Sequence, residues 1–124
     1  MSKPTKTVDT GVIRKFSTGA TRDTSTNKYD YEGFLSPIVL KRFCEYMHKH
    51  RKQSDGSLRD SDNWQKGIPQ DAYMKSGYRH FMDWWFEHRG YKSQDGLEEA
   101  LCALLFNIQG YLYEHLKKNE GKKK

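Results

Sequence analysis

The sequence predicts an all-α protein with three main helices in a bundle that oligomerisation completes. Apolar residues recur at helical spacing in three long segments, and capping signals stand at the start of each. Very few segments show the alternation of a strand. With 124 residues the chain has room for one domain.

The first two helices are delimited by proline and glycine. Ser36 and Pro37 are an N-cap residue and a proline at the first helical position, and the apolar run VLKRFCEYMHKH follows. A polar stretch over residues 53–62 interrupts the pattern. The second helix is expected to begin at Pro69 and to stop at Gly90.

The third helix begins at Asp95 and Glu98, which have the spacing of a capping box. It carries two apolar stripes: Leu101, Leu105, Ile108 and Leu112 on one side, and Cys102, Ala103, Phe106 and Gly110 on the other. Three helices leave more apolar surface than one copy covers. We therefore expect a homo-oligomer, a dimer or a tetramer.

The net charge of +6 lies near the ends of the chain. Residues 1–29 and 117–124 each carry an excess of four positive charges, and we read them as an extended basic arm and a disordered basic tail. The helical catalytic domain, residues 30–116, has a balance of −2, which disfavours a nucleic-acid partner. Without an apolar run of membrane length, a secretory signal or paired cysteines, the chain is expected to be cytoplasmic.

Acidic residues on the three helices form the candidate metal site. Glu99 lies within an apolar stripe, where it is either a metal ligand or a helix-start charge, whereas the capping box explains Glu98. On the second helix, His80 and Asp83 lie one turn apart on a polar stripe. This stripe is either part of the site or an ordinary solvent-exposed face. Glu45 of the first helix is either a surface neighbour or a third acid that converges with Asp83 and Glu99. Such oxygen ligands suit Mg²⁺ or Mn²⁺.

Phosphate and base contacts are assigned to basic and aromatic residues around this site. The alternative interpretation of each of these cations is an ordinary solvated charge on the surface. The candidates for phosphate are Arg22, Lys28, Lys66 and Arg79, and those for stacking on the base are Trp64, Tyr73 and Trp84.

The segments GATRDTSTNKYDYEGFLSP, DNWQKGIP, SGYRHFMDWW and EEALCALLFNIQGYL resemble, in this order, the phage-type dATP/dGTP diphosphohydrolases. That group is similar to the all-α MazG-like nucleotide pyrophosphohydrolases. The resemblance spans residues 19–116. The nearest match to the acidic E-x-x-E and E-x-x-D pattern of the broader group is His80-x-x-Asp83 followed by Glu99-x-x-Cys102.

The resemblance implies a metal-dependent enzyme, encoded by a phage and acting in the host cytoplasm. It would cleave a deoxynucleoside triphosphate to the monophosphate and pyrophosphate. His80, Asp83 and Glu99 are the expected catalytic residues, with Glu45, Asp83 and Glu99 on the metal. The alternative from a different class is a small basic phage protein without enzymatic activity that binds nucleic acid or a host protein.

Overall fold

The protein is mainly helical, as the sequence predicts, in a computed structural model that describes residues 13–23 and 28–122. The chain divides after Pro37 into two units. In the described ranges, no helix is both long enough and apolar enough to cross a membrane.

The first unit contains a small antiparallel hairpin, which the sequence did not predict. Strand β1 (Ile13–Lys15) pairs with strand β2 (Thr21–Asp23), and Arg14 lies opposite Arg22. A single helical turn, α1 (Tyr31–Phe34), follows and is capped by Asp30, whose carboxylate accepts from the backbone N–H of Gly33 at 2.9 Å. Part of the arm that was expected to be extended is therefore a β-hairpin.

The second unit holds the three predicted helices except for Pro37, the first residue of α2. They are α2 (Pro37–Lys49), α3 (Gln70–His88) and α4 (Leu97–Lys122), and a 3-10 turn (Asn63–Lys66) precedes α3. The predicted starts of α2 and α3 are confirmed to within one residue and that of α4 to within two.

Helix α4 does not end where the disordered tail was expected. It continues through residues 117–122, while residues 123–124 lie outside the described ranges. Lys117 Nζ donates to the carbonyl of Gln65 at 3.4 Å, and Lys118 Nζ donates to the side chain of Gln70 at 2.9 Å. These bonds tie the helix to the 3-10 turn and to the first residue of α3, so α4 is supported through Lys118.

Helices α3 and α4 are antiparallel neighbours whose closest approach depends on glycine. A β-carbon added at Gly110 would lie 2.2 Å from the ring of Tyr73, which is only 3% exposed. At Gly77 an added β-carbon would lie 3.6 Å from Asn107, an ordinary van der Waals distance. The Tyr73 ring thus lies against the backbone of α4, in space that only glycine leaves open.

The buried core is small and lies where one side of α4 meets Phe43 of α2 and Tyr73 of α3. Among the described residues the buried hydrophobic side chains are Phe43, Tyr73, Ala100, Cys102 and Ala103, and no large side chain is below 2% exposure. The opposite stripe of α4 remains exposed: Leu101, Leu105, Ile108 and Leu112 range from 38% to 57%. The small-residue stripe therefore packs inside this unit, and the leucine-rich stripe does not.

Candidate functional site

A pocket of about 560 Å³ lies within the second unit and has cationic, amide and aromatic walls. This volume is in the range of small-molecule sites. It is enclosed by α2, the segment between α2 and α3, and the facing sides of α3 and α4. Its polar and aromatic lining includes Tyr46, His48, His50, Arg51, Arg59, Asp60, Asn63, Trp64, Ser76, His80, Phe106 and Asn107.

Two arginines are brought together at the pocket by a tight turn. Arg51 Nε donates to the carbonyl of Arg59 at 2.7 Å, and the backbone N–H of Arg59 donates to the carbonyl of Arg51 at 2.8 Å. Gly56 closes the turn with φ +87°, a value that favours glycine. Asp55 accepts from the backbone N–H and hydroxyl of Ser57 at 2.9 and 2.6 Å. Both arginines line the pocket, so the turn brings two positive charges to its wall, where they can attract an anionic group.

The aromatic wall is built from packed ring pairs. The Trp64 ring packs against Tyr113 at 5.0 Å and Phe106 at 6.1 Å between centroids, with interplanar angles of 69° and 85°. The Tyr46 ring packs on His50 at 4.3 Å. Burial raises the pKa of Tyr46, so its hydroxyl stays protonated at neutral pH. Such a wall offers faces for stacking and a hydroxyl that can donate a hydrogen bond.

Helix α3 turns its polar side toward the pocket and leaves its apolar side exposed. Ser76 and His80 line the pocket, and the His80 side chain is only 31% exposed. On the opposite side, Tyr78, Phe81 and Trp85 are 65%, 42% and 45% exposed. The interpretation of this polar stripe as a face turned to bulk solvent is therefore wrong for Ser76 and His80.

Glu99 is the centre of an ion-pair cluster that links α2 to the start of α4. Its carboxylate accepts from Arg42 Nη2 at 2.9 Å and from Lys49 Nζ, and His50 Nε2 lies 3.9 Å away. Arg42 Nε also donates to Glu98, at 2.7 Å. The hydrogen bonds from Arg42 and Lys49 lower the pKa of Glu99. Glu99 is thus a salt-bridged carboxylate, and a metal ion bound there would compete with two cations already in contact.

Glu99→Gln is expected to lower the free energy of unfolding by about 1 kcal/mol at neutral pH, because the Arg42 and Lys49 pairs lose their charge. The folded pKa of Glu99 lies below its ordinary value of 4.5. Its stabilisation is therefore complete above about pH 4.5 and is lost as the pH falls through the folded pKa. Thermal melts of wild type and variant between pH 7 and pH 3 should converge at the acidic end.

Glu98→Gln is the matched control, since this side chain is 74% exposed and makes a single ion pair. We expect its melting temperature to change less than that of Glu99→Gln. A metal-ligand role for Glu99 predicts the reverse at neutral pH, a gain in stability without metal, because clustered carboxylates repel one another. A Glu99→Gln protein that melts at or above the wild type in chelator would contradict the ion-pair interpretation.

The three acids assigned to the metal are not brought together. Glu45 is exposed on α2, Asp83 lies 4.0 Å from His80 on α3, and Glu99 is in the ion-pair cluster. Over residues 13–23 and 28–122, no group of three or more His, Cys, Asp or Glu side chains is arranged to hold a metal ion. The acid that does line the pocket is Asp60. Magnesium commonly binds through one or two carboxylates together with the phosphates of a substrate, and a single Asp60 fits that mode.

Of the three predicted base-stacking residues, Trp64 lies in the pocket wall. Tyr73 is wrong as a stacking residue, because it is buried against α4 and Phe106. Trp84 lines a separate groove on the other side of α3 and α4. One of the three residues therefore lies at the pocket, and the other two lie elsewhere on α3.

The predicted phosphate contacts lie away from the pocket lining or in the other unit. Lys66 in the 3-10 turn and Arg79 on α3 are exposed and are not among the residues that line it. Arg22 is in β2 and Lys28 precedes α1, both in the first unit. Their assignment to phosphate stays a prediction.

Sequence reasoning missed Arg51 and Arg59, although a signal for them was present. Asp55 and Gly56 form an Asp-Gly pair, which strongly favours a hairpin turn. A hairpin centred there places the flanking residues 51 and 59 opposite each other. The stretch was interpreted as a helix breaker only, so the pairing of the two arginines was not predicted.

Comparison of the chain with protein-family models, with curated proteins and with solved structures found no match.

Proposed function

We propose that the protein is a metal-dependent pyrophosphohydrolase that converts a deoxynucleoside triphosphate, dATP or dGTP, to the monophosphate and pyrophosphate in the cytoplasm of a phage-infected host. The observation that carries this proposal is the pocket in which Arg51 and Arg59 stand beside the Trp64 wall. Such a pocket combines charge for a triphosphate with an aromatic surface for a base. The resemblance of residues 19–116 supports the same class of substrate. The homo-oligomer expected from the sequence is part of this proposal.

The chain's own residues hold the substrate in this proposal. Arg51 and Arg59 bind phosphate oxygens, and His48 and His80 add hydrogen-bond donors on the facing walls. Trp64 stacks on the base. This arrangement fixes the phosphate chain in one orientation, which is the positioning that phosphoryl chemistry requires.

Asp60, together with phosphate oxygens of the substrate, would hold Mg²⁺ or Mn²⁺. The ion supplies charge neutralisation on the phosphates and an activated water when bound. His80, half-buried on α3 and 4.0 Å from Asp83, is placed to accept or donate a proton at its imidazole.

The test is a panel of the four deoxynucleoside and four ribonucleoside triphosphates with Mg²⁺ or Mn²⁺, in which chromatography identifies the products. We expect monophosphate and pyrophosphate in equal amounts, with purine deoxynucleotides preferred and the reaction abolished by chelator. Release of inorganic phosphate and a diphosphate would contradict cleavage between the α and β phosphates. No turnover, together with salt-sensitive binding of single-stranded DNA, would instead favour the nucleic-acid-binding alternative.

A further inference from the structure

Asn107 is the one buried polar side chain among the described residues, and it lies on the wall of the pocket. It is 6% exposed and is carried by α4 directly after Phe106, whose ring packs against Trp64 at 6.1 Å between centroids. A buried carboxamide requires hydrogen-bond partners for its donor end and for its acceptor end. Each end of the Asn107 side chain therefore needs a partner from the protein, from water or from a ligand.

The donor end of Asn107 has its partner within the same helix. Asn107 Nδ2 donates to the carbonyl of Ala103, one turn earlier, at 2.7 Å. Because a carbonyl oxygen can only accept, this bond fixes which end of the carboxamide is the amide nitrogen and which is the oxygen. The side chain is buried and bonded, so the helix holds the acceptor Oδ1 in place before any ligand binds.

The acceptor end has no donor in the part of the chain that the structure describes. Asn107 makes no second hydrogen bond there, and the sealed side-chain atom without a partner is the Tyr73 hydroxyl, not Asn107 Oδ1. Oδ1 therefore keeps an opening to solvent. Asn107 borders both the pocket and the groove that Trp84 lines, and the pocket is the cavity with cationic and amide walls. An acceptor in that wall without a protein donor calls for a donor from the ligand.

We propose that Asn107 Oδ1 recognises the base of the bound nucleotide and selects adenine. This proposal rests on the proposed function, in which Trp64 stacks on a purine. Adenine carries an amino group at its 6-position, which can donate to Oδ1, whereas guanine carries a carbonyl oxygen there. Two facing acceptors repel each other, and the buried Oδ1 would lose its water without gaining a bond. Asn107 is thus a specificity-determining residue, and dATP is the preferred one of the two purine nucleotides.

The test compares dATP with the triphosphate of 2′-deoxynebularine, a purine nucleoside in which hydrogen replaces the 6-amino group. Calorimetric titration in chelator keeps both ligands intact, because the proposed reaction requires a metal. We expect the wild type to bind dATP about 10- to 100-fold more tightly than the analogue, since the analogue leaves a buried acceptor without a donor. Equal affinity for the two ligands, or no measurable binding of dATP, would overturn the proposal. This comparison needs no variant.

Asn107→Leu and Asn119→Leu form a matched pair of variants on α4. Leucine keeps the branched shape of asparagine but can neither donate nor accept a hydrogen bond. Asn119 lies outside the pocket lining, where its side chain bonds to His115. We expect Asn107→Leu to bind both ligands with the affinity that the wild type has for the analogue, and Asn119→Leu to keep the wild-type preference for dATP. Circular dichroism checks that both variants keep the helix content of the wild type.

The outcomes separate this inference from the proposed reaction. A folded Asn107→Leu protein that prefers dATP by the wild-type factor would leave Asn107 with a structural role alone and would overturn the inference. Equal turnover of dATP and the analogue with Mg²⁺ would also overturn it, while the proposed pyrophosphohydrolase would stand. Selective binding of dATP by a protein that cleaves no nucleotide would contradict the proposed reaction and support the recognition of adenine.

Discussion

Gly110→Ala is expected to lower the free energy of unfolding by about 2 kcal/mol. The new β-carbon would lie 2.2 Å from Tyr73 Cζ and 2.3 Å from Tyr73 Cε1, far inside the contact distance. Because Tyr73 is only 3% exposed, its ring has little room to withdraw, and α3 and α4 must separate to admit the methyl group. The better helix propensity of alanine returns at most about 1 kcal/mol of this loss.

Gly77→Ala is the control for helix propensity at the same helix pair. An added β-carbon there meets Asn107 and Leu104 at 3.6 and 3.9 Å, which are ordinary contacts. We expect this variant to be as stable as the wild type or up to about 1 kcal/mol more stable. Urea or thermal unfolding at one fixed protein concentration checks both variants, since an oligomer melts in a concentration-dependent way. Equal stability of Gly110→Ala and wild type would contradict the packing of the Tyr73 ring on α4.

The helices could be predicted because their signals are local. Pro37 is the first residue of α2, and Gly90 follows shortly after the last residue of α3. A few neighbouring residues are therefore enough to place these boundaries. The end of α4 could not be placed in this way. Its last turns are supported by bonds from Lys117 and Lys118 to residues 48 to 52 positions earlier in the chain.

The orientation of the helices was harder to predict than their bounds. Amphipathic patterning assumes that the apolar side of a helix is buried within the same chain, and α3 does not follow that rule. Its polar residue His80 faces the pocket, while Tyr78 and Phe81 are exposed. The pattern was identified correctly, but the apolar side of this helix is exposed, so the step from apolar to buried failed for α3.

The candidate site shows the same division between local and distant information. Trp64 was selected as an aromatic residue that could stack on a base, and it does line the pocket. Glu99 was selected as an unexplained acid on an apolar stripe, but its partners Arg42 and Lys49 lie 57 and 50 residues away. No spacing rule within one helix reveals such a partner. A buried or half-buried acid therefore indicates that some cation is paired with it. It does not indicate whether that cation is a metal ion, an arginine or a lysine.

Arg59→Gln is expected to weaken the binding of a deoxynucleoside triphosphate by about 10- to 100-fold, because a hydrogen bond to a charged group contributes about 1.5–3 kcal/mol. Arg59 is the cleaner of the two arginines to change. Its bonds with Arg51 are made by its own backbone N–H and carbonyl, which a glutamine retains. Arg51→Gln would also remove the Nε donor that holds the turn closed. Removal of one of two adjacent positive charges should leave the fold intact.

Lys75→Gln removes the same unit of charge from an exposed position on α3 outside the pocket lining. Calorimetric titration with a non-hydrolysable triphosphate analogue at fixed ionic strength compares the three proteins. We expect Lys75→Gln to bind within about twofold of the wild type, since exposed charges act weakly and are screened by salt. An equal loss of affinity in both variants would mean that net charge, and not the arginine pair, attracts the nucleotide. Unchanged affinity in Arg59→Gln would place the phosphates elsewhere, and the hairpin of residues 51–59 would then be a structural turn alone.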